Sequence, residues 1–136
     1  MGSAVLPSVF PLVWSRDVRA LCEWATRSLG LELVWQVPPG DGEWEHAELR
    51  WAAGIVSVNY VRDGHEGMGP AGIAVRQGDR AAVDACHARA VGAGAKIVRG
   101  PEESFVSYSF TAEDPDGNQW WIHVETGALD ELRDAS

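Results

Sequence analysis

Two pairs of residues in this 136-residue chain have the types that hold metals or move protons. His46 and Glu48 alternate along one stretch, and His123 and Glu125 alternate along another, so on β-strands each pair shares a face. Imidazole ligates divalent ions and transfers protons near neutral pH, and carboxylates assist either task. A pair alone falls short of a metal site, which takes a third donor. The remaining reactive types carry less. Cys22 and Cys86 fall in helical patterns without an electropositive setting, which describes small buried thiols. His87 is expected on a helix surface, and His65 and Glu66 in a solvated glycine-rich segment. No serine elbow, phosphate loop or dinucleotide fingerprint occurs.

Tryptophan is the unusual component: seven residues, against three Phe and two Tyr. Each indole offers a flat apolar face and one N–H donor, which suits cores and aromatic-ligand pockets alike. Trp24 lies on a helical apolar stripe and is expected in the core. Trp35, Trp44 and Trp51 fit either role.

The elements that must position these groups follow from periodicity and punctuation. Val9–Ser15 has strand character. Asp17 caps a helix whose stripe is Val18, Leu21, Cys22, Trp24, Ala25 and Leu29, closed by Gly30. Strands follow over 31–37, 44–51 and 55–61. After a polar glycine-rich segment, the pattern returns: a strand over 71–77, a helix capped by Asp79 with Ala82, Val83, Cys86 and Ala90 on its stripe, then strands over 95–99, 106–112 and 118–125. Asp79 follows Asp17 by 62 residues, and the later strands repeat at about 64. The chain is therefore two β-α-β-β-β units in one α+β domain spanning 1–136. Module one covers about 8–62, a linker 63–70, module two about 71–125, and a mildly helical tail 126–136. Each unit has one sheet face under its helix and one bare face that must be buried elsewhere.

Charge narrows the partners. Lys plus Arg total 11 and Asp plus Glu total 20, a net charge of −9. With no cation cluster, nucleic acid is not an expected partner, and cationic small molecules are favoured. The apolar start is broken by Pro7 and Pro11, and no run is long enough to span a bilayer, so neither secretion signal nor membrane contact is expected and the location is expected to be cytoplasmic.

The most informative run is Asp114-Pro115-Asp116-Gly117-Asn118-Gln119-Trp120-Trp121-Ile122-His123. Pro-Asp-Gly makes a turn, because Pro presets φ and Gly accepts positive φ. Alternation then places Trp121, His123 and Glu125 on one face, with Trp120, Ile122 and Val124 on the other. Set after paired β-α-β-β-β units, this run resembles the vicinal oxygen chelate superfamily of glyoxalases, bleomycin-resistance proteins and extradiol dioxygenases, over residues 8–125. The resemblance implies U-shaped, mostly antiparallel sheets and pockets formed between modules, often across a homodimer interface. Metal-binding members carry ligands at symmetric positions of the two halves. Here those positions hold Phe10, Ser57, Gly72 and Trp121, none of them a normal divalent-metal ligand.

The expected function is therefore that of the bleomycin-resistance-like branch. That is metal-independent, cofactor-free sequestration of an aromatic small molecule such as an antibiotic, with no catalytic residue assigned. Phe10, Leu12, Trp14 and Trp121 would supply apolar contact, Ser57 and Gly72 would line the cleft, and Asn59 and His123 would orient the ligand. The alternative is an enzyme of the same superfamily: a lyase or dioxygenase using His46, His123 and Glu125 as unusual ligands, or a metal-free isomerase using His123 as acid or base.

Overall fold

Asp17 and Asp79 perform one task in two places. Each takes an extended backbone and accepts a hydrogen bond from the amide three residues on, Asp17 from Ala20 at 3.0 Å and Asp79 from Ala82 at 2.7 Å. These caps start helices α1 (Val18–Trp24) and α2 (Arg80–Gly92). α1 runs on through a π-helical turn, Ala25–Leu29, which ends at left-handed Gly30. The computed structural model describes residues 7–61 and 69–135, so the expected linker at 63–70, with His65 and Glu66, lies largely outside the described residues.

Around α1 stand β1 (Leu12–Ser15), β2 (Glu32–Val37), β3 (His46–Trp51) and β4 (Gly54–Tyr60). Around α2 stand β5 (Gly72–Arg76), β6 (Lys96–Glu103), β7 (Ser107–Glu113) and β8 (Gln119–Glu125). The sheets have orders β1-β4-β3-β2 and β5-β8-β7-β6, with the first pair of each parallel and the others antiparallel. The registers repeat as well as the order. Leu12 lies opposite Ser57 and Ala74 opposite Trp121; one same-face step on, Trp14 lies opposite Asn59 and Arg76 opposite His123. The architecture is α+β, two four-stranded mixed sheets with helices. A short helix α3 (Gly127–Asp134) forms the tail.

Two strands differ from their sequence expectation. β1 begins only at Leu12, and Pro11 ahead of it contributes a carbonyl to the Ser57 amide at 3.0 Å but has no N–H to donate. β6 runs past Arg99 to Glu103 through Gly100-Pro101. It is an edge strand, where a missing N–H is tolerated. Gly100 has φ of +81°, and a Cβ there would sit 2.5 Å from the Ser109 carbonyl, so only glycine fits.

The helix-side faces of both sheets share one core. Val13, Val56 and Val58 meet Val18, Leu21 and Cys22 from one module; Ile73, Val75, Phe110, Trp120 and Ile122 meet Val83 and Cys86 from the other. Trp24 joins the halves through Trp120, ring centroids 5.9 Å apart, and Cys86 points its thiol at the Leu29 carbonyl. Burial pushes the Cys22 thiol up to about 12 and the Cys86 thiol up to about 11, so both stay protonated and unreactive. Polar latches complete the union. Asp116, in the turn of module two, accepts from the Ser15 hydroxyl at 2.6 Å and the Arg16 amide at 2.9 Å. Trp51, beside the turn of module one, donates its indole N–H to the Arg76 carbonyl at 2.9 Å. In each case the hairpin turn region of one module grips the end of the other's edge strand. Among the described residues, no helix is long and apolar enough to cross a membrane.

Candidate functional site on the bare sheet faces

Because the core takes one face of each sheet, strand alternation leaves the other face of each outside it. On the first sheet that face carries Leu12 and Trp14 from β1, Ile55, Ser57 and Asn59 from β4, His46, Glu48 and Arg50 from β3, and Trp35 and Val37 from β2. Leu12, Trp35 and Val37 are between 43% and 46% exposed, which is much apolar surface for one face. Across its middle runs a polar chain. His46 Nδ1 lies 2.8 Å from Asn59 Oδ1, and Asn59 Nδ2 donates to Ser57 Oγ at 3.1 Å. With the amide so oriented, its oxygen accepts from His46 Nδ1–H, and in the neutral ring this tautomer makes Nε2 the acceptor.

On the second sheet the bare face carries Gly72, Ala74 and Arg76 from β5, and Gln119, Trp121, His123 and Glu125 from β8. β7 adds Ser109 and Thr111, opposite His123 and Trp121. Trp121 and His123 stack flat, with centroids 3.9 Å apart and planes 7° from parallel. His123 is 5% exposed. Burial holds its pKa below the ordinary histidine value, helped by Arg76 and opposed by Glu125. Glu125 is held in turn by hydrogen bonds from Arg133 at 2.5 and 2.9 Å and from Arg76 at 2.6 Å, and these keep its carboxyl below the usual range. Between the start of β4 and β5 opens a cavity of about 500 Å³, walled by Trp51, Ile55, Ala74, Val75 and Arg76 among others.

The eight residues expected to line the ligand site thus divide between two sheets. Leu12, Trp14, Ser57 and Asn59 share the first bare face, and Gly72, Trp121 and His123 share the second. Phe10 lies ahead of β1, 45% exposed. Phe10 and Gly72 each stand one same-face step before the residue paired with Ser57 or Trp121. His87 departs from the expected surface role: it is half-buried and packs edge-on against Phe110 at 5.1 Å. The open tryptophans resolve differently. Trp35 is on the bare face, Trp44 lies under the Arg19 guanidinium and donates to the Gly40 carbonyl, and Trp51 is a latch. Sequence reasoning missed Arg76 and Arg133. The 62-residue repeat carries Trp14 to Arg76 and would have found the first; the second belongs to a tail with no repeat partner.

A divalent ion does not fit these residues. Phe10, Ser57, Gly72 and Trp121 offer benzyl, hydroxymethyl, hydrogen and indole groups, whereas hard or borderline cations take imidazole, carboxylate or thiolate. His46 stands on a different sheet from His123 and Glu125. Among the described residues no group of three or more His, Cys, Asp or Glu could hold a metal.

Solved structures share this architecture. TioX from Micromonospora sp. ML1 is 22% identical, covers 88% of this chain and 100% of its own, and superposes with a TM-score of 0.72. A glyoxalase/bleomycin resistance protein/dioxygenase family enzyme from Burkholderia phytofirmans PsJN is 17% identical over 86% of this chain and 97% of that one, with a TM-score of 0.68. Lactoylglutathione lyase from Agrobacterium tumefaciens is 19% identical over 90% and 96%, with a TM-score of 0.66. At these identities the likeness is one of fold. No curated protein matches the chain. The family model of the Glyoxalase/Bleomycin resistance protein/Dioxygenase superfamily matches residues 9–122, and the chain belongs to that superfamily.

Proposed function

We propose that this protein captures a flat aromatic small molecule, such as an antibiotic, on its bare sheet faces and holds it without a metal and without changing it. One observation carries the reading. At the repeat-related positions Ser57 and Trp121, where catalytic relatives would need metal donors, the sheets present a hydroxyl, with Asn59 and Glu48 beside it, and an indole, with His123 beside it. Without a Lewis acid, neither an enediolate nor activated oxygen is stabilised there. What remains is what binds drugs: aromatic surface and a few placed hydrogen-bonding groups. Trp14 and Trp35 with the Ser57–Asn59–His46 chain serve on one face, and Trp121 with His123 on the other. The net charge of −9 speeds capture of basic ligands. Two chains associate so that each covers the other's bare faces, which places the pockets between them.

The second reading is a metal-free isomerase or hydrolase. It is favoured by the oriented His46, whose Nε2 is an available base. One experiment separates the two. Metal-stripped protein is titrated with a panel of aromatic antibiotics while tryptophan fluorescence is followed, and each bound compound is then recovered by chromatography. Saturable quenching with the compound recovered unchanged is the expected result. A chemically altered compound would assign the protein to the enzymatic branch.

A further inference from the structure

Gln77 follows the last residue of β5, and its backbone N–H donates to the His123 carbonyl at 2.7 Å. The residue is 7% exposed, yet its side-chain amide has no hydrogen-bond partner among the described residues. It is not sealed in. Among the described side chains, only His123 Nδ1 is both fully buried and unpartnered, so Oε1 and Nε2 of Gln77 each keep some accessible surface. That surface opens at the junction of the modules. Gln77 lines the cavity of about 500 Å³ between the start of β4 and β5, and also a cavity of about 420 Å³ beside Ala82, Ala85 and Cys86 of α2. A polar side chain largely withdrawn from water costs stability unless something meets it, and native proteins leave few unmet.

The larger cavity has room and walls for a molecule. Pro11, Leu31, Ile55 and Val75 line it with carbon from both modules. Trp51 borders both cavities. Its indole N–H is spent on the Arg76 carbonyl at 2.9 Å, which fixes the ring and leaves its faces as apolar surface. Among the described residues that line the cavity, Arg76 alone is charged, and its guanidinium donates to Glu125 at 2.6 Å. Pockets of this kind hold a ligand by apolar area and orient it by a few polar groups. Here the orienting group is a primary amide, an acceptor oxygen beside N–H donors. Its complement is another amide edge, an N–H beside a C=O.

We propose that the module junction is a second binding site, in which Gln77 exchanges two hydrogen bonds with the amide edge of a neutral, largely apolar small molecule, a lactam or carboxamide whose body lies against Trp51. The cavity borders the bare faces through Ile55 and Arg76. By strand alternation, however, Trp51 goes with Leu49 and Gln77 with Val75, on the helix side of each sheet. The site is therefore distinct from the bare faces and does not rest on the reading of them.

The test titrates full-length protein with 2-quinolone and with N-methyl-2-quinolone, followed by NMR. The first carries an N–H beside a C=O on a flat apolar bicycle; methylation removes the donor alone. 2-Quinolone should shift the side-chain amide resonances of Gln77 and the indole N–H resonance of Trp51. It should bind about tenfold more tightly than its methylated form, the worth of one hydrogen bond to an otherwise unmet acceptor. Gln77→Met keeps the length of the side chain without its amide. It should weaken 2-quinolone about tenfold and leave N-methyl-2-quinolone nearly unchanged. Should Gln77→Met fail to fold, the resonance shifts and the affinity ratio in unsubstituted protein decide the matter. Equal affinities, an equal effect of Gln77→Met on both compounds, unmoved Gln77 resonances, or no binding of either compound would overturn the junction site. Shifts centred on Trp121 and His123 instead would also overturn it, while supporting the reading of the bare faces. Shifts at Gln77 and Trp51 with none at Trp121 and His123 would support the junction site whatever becomes of that reading.

Discussion

Asp114 is 4% exposed, yet its carboxylate accepts from the amides of Asp116 and Asn118, the side-chain amide of Asn118 and the indole of Trp120. Burial pushes its pKa up and those donors pull it down, burial being the larger influence. Asp114→Ala strands several buried donors at once, so chemical denaturation should show a loss of at least ~3 kcal/mol. A loss below ~1 kcal/mol would mean the turn does not depend on this clamp. His123 gives the pH dependence. Its folded pKa lies below the unfolded value, so the unfolded chain binds the proton first. Stability from this group is complete above about pH 6.5, the ordinary histidine value, and drains as pH falls toward the folded value. NMR titration should find His123 below that value, and His123→Phe should flatten the stability profile between pH 7 and 5. At this scale the sequence was partly legible. Pro-Asp-Gly announced a turn, but nothing in it announced that Asp114 reaches an indole six residues on. The ring's direction is set by core packing, which a linear motif does not encode.

At the scale of elements, alternation along β8 decides roles. Trp120 is fully buried against Trp24, and Trp121, its neighbour, is on the bare face. Trp120→Ala should destabilise by about 3–5 kcal/mol and Trp121→Ala by about 1 kcal/mol or less. Thermal unfolding of the two variants checks the pair, and similar losses would contradict the assignment of faces. Helical stripes and strand alternation were legible because each is a local period that burial enforces. The helix from Asp17 to Gly30 came through with its cap and stop, although not its π-helical last turn. The extension of β6 was not legible: Gly100-Pro101 signals a break, and only its position on a sheet edge lets the strand continue. His87 was misplaced because a histidine on a weakly patterned helix gives no sign of the Phe110 edge it meets.

At the scale of the molecule, the repeat spacing revealed two modules, and the registers of their parallel strand pairs agree residue for residue. How they join was not in the sequence. The latches Ser15–Asp116 and Trp51–Arg76 link positions 101 and 25 residues apart, and no periodicity predicts a pair that only docking creates. The same joint turns both helices into one core and leaves both bare faces outward of it, each with aromatic groups. Those faces lead us to expect a homodimer. Light scattering after size exclusion should return twice the chain mass of 14.7 kDa, and a monomer at micromolar concentration would place the pockets within one chain.

The central claim is capture without a metal, and calorimetry addresses it directly. Protein treated with chelator is titrated with an aromatic antibiotic that quenches its fluorescence, and the titration is repeated after adding zinc, manganese or nickel. The account predicts the same affinity and stoichiometry in every titration, with no heat beyond binding. Binding that appears only when the ion returns, or continuing heat from turnover, would contradict it.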